Sequence, residues 1–199
     1  MGPVGFDLDM TLIDSRRAIL GSFAGVAADS GVAIDLAEVD RRLGIKLEDE
    51  LAHWFAPAAV PAAVASYRRH YAELAAARTV IMPGAREAMA AVRAAGARAV
   101  VITAKYVVPA RAGLAGAGLA ADDLFTERHG PEKAAVLASI GARVYVGDTP
   151  DDMAAARAAG AVAVGVSTGS FTESDLVAAG ADVVFDSLTR FPTWYTSLE

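Results

Sequence analysis

The stretch VGFDLDMTLIDS, residues 4–15, decides how the chain reads. An apolar run ends in two acids two positions apart, Asp7 and Asp9. If the run is a buried strand, its side chains alternate between faces, so Asp7 and Asp9 point the same way. Two carboxylates so placed repel and raise each other's pKa. A cation or a shared chemical task would justify them, and a buried pair of acids requires some such partner.

Outward from that stretch, apolar runs alternate with alanine-rich helical segments. ARAVVITA (residues 97–104) follows PGAREAMAAVRAAG, a helix closed by Gly96. ARVYVGD (142–148) follows EKAAVLASIG, AVAVGVST (161–168) follows PDDMAAARAAG, and ADVVFDS (181–187) follows ESDLVAAG. Repeated helix–strand alternation with nearly continuous apolar strands predicts a parallel sheet covered by helices on both faces, a Rossmann-like α/β fold. Residues 16–81 break the rhythm and hold no convincing core strand. There Val60, Val64, Tyr67, Tyr71 and Leu74 recur at spacings of four and three, one face of a helix and the core of a helical insert. The chain therefore divides into an α/β core, residues 1–15 and 82–199, and a helical module, residues 16–81. The aromatic tail FPTWYTSL is expected to dock on the core.

Composition narrows the classes of function. At 54% hydrophobic residues the chain is no disordered segment, and a net charge of −6 argues against general affinity for nucleic acid or anionic membrane. No cysteine is present, which excludes disulfides, thiolate metal sites and cysteine nucleophiles. With no apolar run long enough for a bilayer and no visible signal peptide, the expectation is a cytoplasmic protein. Only three of the 18 basic residues are lysine (Lys46, Lys105 and Lys133), so a lysine here is less apt to be filler.

In open α/β sheets the active crevice lies beyond the carboxyl ends of the strands. Those ends supply Asp7, Asp9 and Thr11, then Thr103, Ala104 and Lys105, then Asp148, Asp151 and Asp152; Lys133 opens a helix between them. Asp7, Asp148 and Asp152 are hard oxygen ligands suited to Mg²⁺. Thr103 and the backbone N–H groups after it can cradle a phosphate, with Lys133 as the point charge and Lys105 as its rival. A carboxylate facing such a cradle can act as nucleophile, and a second one two residues on can serve as acid and then base. Asp151 is read as a cap of the helix that Pro150 starts, and Asp14 or Ser15 as a helix N-cap. Lys46, in RLGIKLED, falls in a loop between helices of the insert.

The order Asp-x-Asp-x-Thr, a strand ending in Thr, a Lys, then Gly-Asp-x-x-x-Asp resembles the haloacid dehalogenase (HAD) superfamily, and the insert after the first motif resembles its helical-cap subgroup of phosphoglycolate phosphatases and β-phosphoglucomutases. The resemblance implies a HAD-like fold with residues 16–81 as cap. It implies a Mg²⁺-dependent phosphatase acting on a small phosphorylated metabolite such as phosphoglycolate. Asp7 would be nucleophile and metal ligand. Asp9 would be general acid/base, with its carbonyl on the metal. Thr103, Ala104 and Lys133 would hold the phosphoryl group, Asp148 would bind the metal, and Asp152 would bind it directly or through water. Lys46 would reach the substrate's distal end. Met10 stands where the family usually has Gly, which bears on substrate more than on chemistry. Dehalogenating members lack the second aspartate, so Asp9 disfavours that activity. The rival readings are a β-phosphoglucomutase-like phosphomutase and a non-enzymatic phospho-acceptor signalling module.

Overall fold

Each apolar run becomes a short strand, and the first of them pairs with two strands far away in sequence. The computed structural model describes residues 2–198. The chain enters as β1 (Val4–Phe6), turns, and makes a two-residue strand β2 (Ile13–Asp14). Four helices follow: α1 (Arg16–Ser30), α2 (Leu36–Arg41), α3 (Leu47–Trp54) and α4 (Val60–Arg78). β3 (Val80–Ile81) then pairs antiparallel with β2. From there helix and strand alternate: α5 (Ala85–Ala94), β4 (Ala99–Ile102), α6 (Val107–Gly116), β5 (Asp123–Phe125), α7 (Gly130–Ile140), β6 (Val144–Gly147), α8 (Pro150–Ala158), β7 (Val162–Val166), α9 (Glu173–Ala178) and β8 (Val183–Phe185). A 3₁₀ turn, Leu188–Arg190, leads into α10 (Phe191–Thr196).

Six strands form one parallel sheet in the order β5-β4-β1-β6-β7-β8. Alternate side chains feed opposite faces, so Val101 and Val146 join one apolar cluster while Val100 and Tyr145 join another. Helices α5, α6 and α10 cover the first face, and α7, α8 and α9 the second. This is the fold class the strand runs predict. β1 lies between β4 and β6 with Phe6 opposite both Val101 and Val146, so the residues that leave these three strands emerge side by side.

A third apolar cluster belongs to α1–α4. Val64, Tyr67 and Tyr71 of α4 are buried in it, with Val60 and Leu74 packed at its margin, so the predicted stripe is the buried one. The chain passes between this helical layer and the sheet twice, at residues 13–14 and 80–81, and the β2–β3 pair ties the two passages together. Neither that ribbon nor β5 is foreseen from the sequence: Ile13–Asp14 and Val80–Ile81 are two residues each, and Asp123–Phe125 opens on an acid. Ser15 takes the N-cap position of α1 but makes no cap bond; Asp14 accepts the Arg16 N–H instead, at 3.0 Å. Phe191 and Tyr195 are buried on the core, with Phe191 packed edge-on to Phe6 at 5.6 Å. No described helix is long and apolar enough to cross a membrane.

Candidate active site

Beyond Phe6 the chain folds into one tight turn, with the Leu12 and Ile13 N–H groups both donating to the Leu8 carbonyl. Met10, at its apex, has φ 60°, the left-handed region that favours glycine. Its side chain is nonetheless buried in the core cluster. The turn returns Asp7, Asp9 and Thr11 to the carboxyl edge of the sheet.

There Lys133, in the first turn of α7, donates to Asp7 Oδ1 at 2.8 Å and to Asp152 Oδ1 at 2.6 Å. All three side chains are buried. Asp152 is held from every side. Its Oδ2 accepts the Thr149 hydroxyl at 2.7 Å in a capping box that starts α8, and the Tyr145 hydroxyl lies 3.1 Å from its Oδ1. Thr149, not Asp151, is therefore the cap of α8; Asp151 is exposed at its first turn. Asp148 accepts the Thr11 hydroxyl at 3.2 Å. Two glycines make room for these acids. A Cβ on Gly147 would stand 2.4 Å from Asp152, and one on Gly169 would stand 2.0 Å from Asp148 Oδ2.

Asp7, Asp148 and Asp152 each offer an oxygen within 4.8 Å of the others. Three buried acids face one ammonium and are short of positive charge. Burial, more than the neighbouring acids, raises the Asp7 pKa to about 7. Burial likewise pushes Asp148 well above the carboxylate range, with Asp7 and Asp152 adding to it. Burial works against the charge on Lys133, yet Asp152 and Asp7 hold its pKa well above the ordinary value. A hard divalent cation is the partner that such a set of oxygen donors fits.

Asp9 lives differently. Its Oδ1 accepts Lys105 Nζ at 2.7 Å and also the Ser15 hydroxyl. Lys105 Nζ donates to the Tyr71 hydroxyl at 2.8 Å and lies 4.3 Å from the centre of that ring. Burial opposes the charge on Lys105, but Asp9 and Tyr71 together raise its pKa. The mutual repulsion expected of Asp7 and Asp9 is thus minor, because each acid has its own lysine. Among the causes of the Asp7 shift, Asp9 ranks below burial, Lys133 and Asp152.

Thr103 follows β4, and its hydroxyl oxygen accepts the Lys105 N–H at 3.1 Å, leaving the hydroxyl proton free to donate. The Ala104 N–H has no intramolecular acceptor among the described residues. Thr103, Ala104, Asp7, Asp9, Met10, Lys133 and Asp148 line one cavity of about 870 Å³. Its opposite wall comes from the helical layer and includes Lys46, Arg42, Glu50, Arg68 and Tyr71. Asp152 stands behind Lys133 rather than on the cavity surface. Tyr145, Thr149 and Gly169 are not singled out by the sequence, and Tyr71 is read there only as core of the helical insert. The capping pattern Thr-x-x-Asp at residues 149–152 is the signal that could have found Thr149.

A family model described as haloacid dehalogenase-like hydrolase matches residues 4–157, and a second, HAD-hydrolase-like, matches residues 128–191. The chain is 33% identical over 215 residues to a phosphoglycolate phosphatase of Rhodospirillum rubrum, covering 95% of this chain and 88% of the relative. It is 31% identical over 210 residues to a plasmid phosphoglycolate phosphatase of Cupriavidus necator, covering 96% and 91%. The structure of a haloacid dehalogenase-like family hydrolase from Streptococcus pneumoniae superposes with a TM-score of 0.84 at 20% identity, covering 100% of this chain and 98% of the other.

Proposed function

We propose a mechanism from a plain premise: the chain belongs to the haloacid dehalogenase-like hydrolase family and is a phosphatase within it. We assign it the Mg²⁺-dependent hydrolysis of a small phosphorylated metabolite of the phosphoglycolate kind, in a cytoplasmic setting. The observation that carries the reading is the Asp7–Lys133–Asp152 arrangement, with Asp148 beside it, opening on the same cavity as Thr103 and Asp9. The names of the two relatives support the choice of substrate class.

Asp7 attacks phosphorus in line, a bond forms from its carboxylate oxygen to phosphorus, and the ester P–O bond breaks. Asp9 gives its proton to the leaving alkoxide. Water then attacks the aspartyl-phosphate as Asp9 takes the proton back, releasing phosphate and restoring the Asp7 carboxylate. The Thr103 hydroxyl, the Ala104 N–H and the Lys133 ammonium hold the phosphoryl oxygens. Asp7, Asp148, the Asp9 carbonyl and Asp152, directly or through water, would hold Mg²⁺, whose bound charge neutralises the phosphoryl oxygens. Residues 16–81 serve as a cap over the core of residues 1–15 and 82–199, with β2–β3 at the neck. In that arrangement Lys46 faces the part of the substrate beyond the phosphate, Met10 fills the turn from the core side, and closure excludes water.

The test is phosphate release with Mg²⁺ from a panel of small esters, phosphoglycolate and sugar phosphates included, by wild type and Asp7→Asn side by side. Release by wild type alone supports the reading, and the ranking names the ester. Isomerisation of a sugar phosphate without net release would replace hydrolysis with the mutase reaction. Membership of a family of hydrolases sets the signalling module aside.

A further inference from the structure

The hydrogen bonds to Asp9 among the described residues are one-sided. Lys105 and Ser15 both donate to Oδ1, and nothing in the described residues holds Oδ2. Asp9 lines the cavity, so Oδ2 is the atom left for reaction. The Lys105 side chain is 9% exposed and spans from the loop after β4 to the Tyr71 hydroxyl on α4. Tyr71 is itself buried in the apolar cluster of the helical layer and stacks on Tyr67 at 5.9 Å. A side chain of the sheet edge thus grips one oxygen of Asp9 while its ammonium is held by a residue of the opposite layer.

We propose that Lys105 is a positioning residue: it fixes the Asp9 carboxylate by Oδ1 so that Oδ2 meets the leaving group, and Tyr71 makes that grip depend on how α4 is seated over the sheet. The inference rests on the acid/base role assigned to Asp9. Lys133 already serves the nucleophile end, where it is engaged by Asp7 and Asp152, so the two lysines divide the two carboxylates between them. Helix α4 spans Val60–Arg78 and both returns to the sheet through β3 and carries Tyr71, so a shift of α4 moves one of the contacts of the ammonium that holds Asp9. The helical layer thereby communicates its position to the proton donor through the Lys105 ammonium.

The experiment compares kcat/KM, which reports the attack step, on two esters. One is 4-nitrophenyl phosphate, whose leaving group departs without a proton. The other is the alkyl phosphate that wild type hydrolyses fastest. Lys105→Met should lower kcat/KM for the alkyl ester about 10- to 100-fold, the scale of a misplaced acid, and for the nitrophenyl ester by less than about 3-fold. Tyr71→Phe keeps the packed ring and removes one hydrogen bond, so it should show the same selectivity at about 2- to 5-fold. Equal loss on both esters in Lys105→Met would overturn the proposal and make Lys105 a ligand of the phosphate; no loss on either would overturn it outright. Wild-type values for Tyr71→Phe on both esters would overturn the link to α4. Asp9→Asn is the control: if it shows no selectivity for the alkyl ester, the acid/base reading itself has failed and takes this inference with it. Should circular dichroism show Lys105→Met unfolded, Tyr71→Phe decides alone.

Discussion

Asp7 and Asp9 stand two residues apart and live in different worlds. Asp7 lies where three parallel strands end, buried among Asp148, Asp152 and Lys133, every partner drawn from the sheet edge or the helices just beyond it. Asp9 lies nearer solvent, its side chain 24% exposed, and its cation is shared with a tyrosine of the helical layer. The first environment is built from strand ends and the first turns of the helices that follow β5 and β6, all within one layer. The second straddles two layers joined by a two-residue ribbon. The contrast suits the proposed roles, since a nucleophile needs a fixed line of attack and a proton carrier needs to engage when the site closes.

The comparison breaks most visibly at Asp7. Asp7→Asn should lower phosphate release by about four orders of magnitude or more while the far-ultraviolet circular dichroism stays native. Retained turnover in pure protein would move the nucleophile elsewhere.

Next in size is Lys133→Met. It removes the ammonium between buried carboxylates and should cost about 3–5 kcal/mol of stability without Mg²⁺, together with most activity. Urea unfolding with and without Mg²⁺ checks it, and recovery of much of the loss on adding the ion is expected. An unchanged midpoint would show that the acids do not depend on Lys133.

The metal itself sharpens the contrast through pH. The folded-state pKa of Asp7, about 7, lies above its unfolded value. Between about pH 4 and that value the folded protein keeps a proton that the unfolded chain releases, so metal-free stability falls as pH rises across the window. Asp148, also raised, acts in the same direction. The rise in Tm on adding Mg²⁺ should therefore grow from acid to neutral pH. A Tm increment independent of pH would count against these acids as the binding set.

The smallest effect is expected at Met10→Gly. Glycine relieves the left-handed backbone but empties a buried site. Strain relief of about 1–2 kcal/mol against a packing loss of about 2–3 kcal/mol leaves a net destabilisation of about 1 kcal/mol. kcat should stay within about twofold of wild type, as a core-filling turn residue predicts; a large rise in KM would instead place Met10 against the substrate.

Much of this was legible in the chain. The parallel sheet follows from apolar runs alternating with helices, and β1, β4 and β6 lie where VGF, AVVI and VYVG suggest. The capping residue was harder: Asp151 looks like the cap of α8, but Thr149 holds that place, because its hydroxyl reaches the Asp152 N–H while Asp152 reaches back. β5 escaped notice as three half-buried residues at the sheet edge.

By itself the sequence determined five of the six strands of the parallel sheet, the helical insert and the acids at the strand ends, because period, polarity and motif spacing are local properties of the chain. Only the tertiary structure decided which lysine serves which acid. Lys133 reaches Asp7 across 126 positions, and Lys105 meets Tyr71 across 34. Such pairs are set by strand order and by the seating of one layer on another, and no spacing along the chain encodes them.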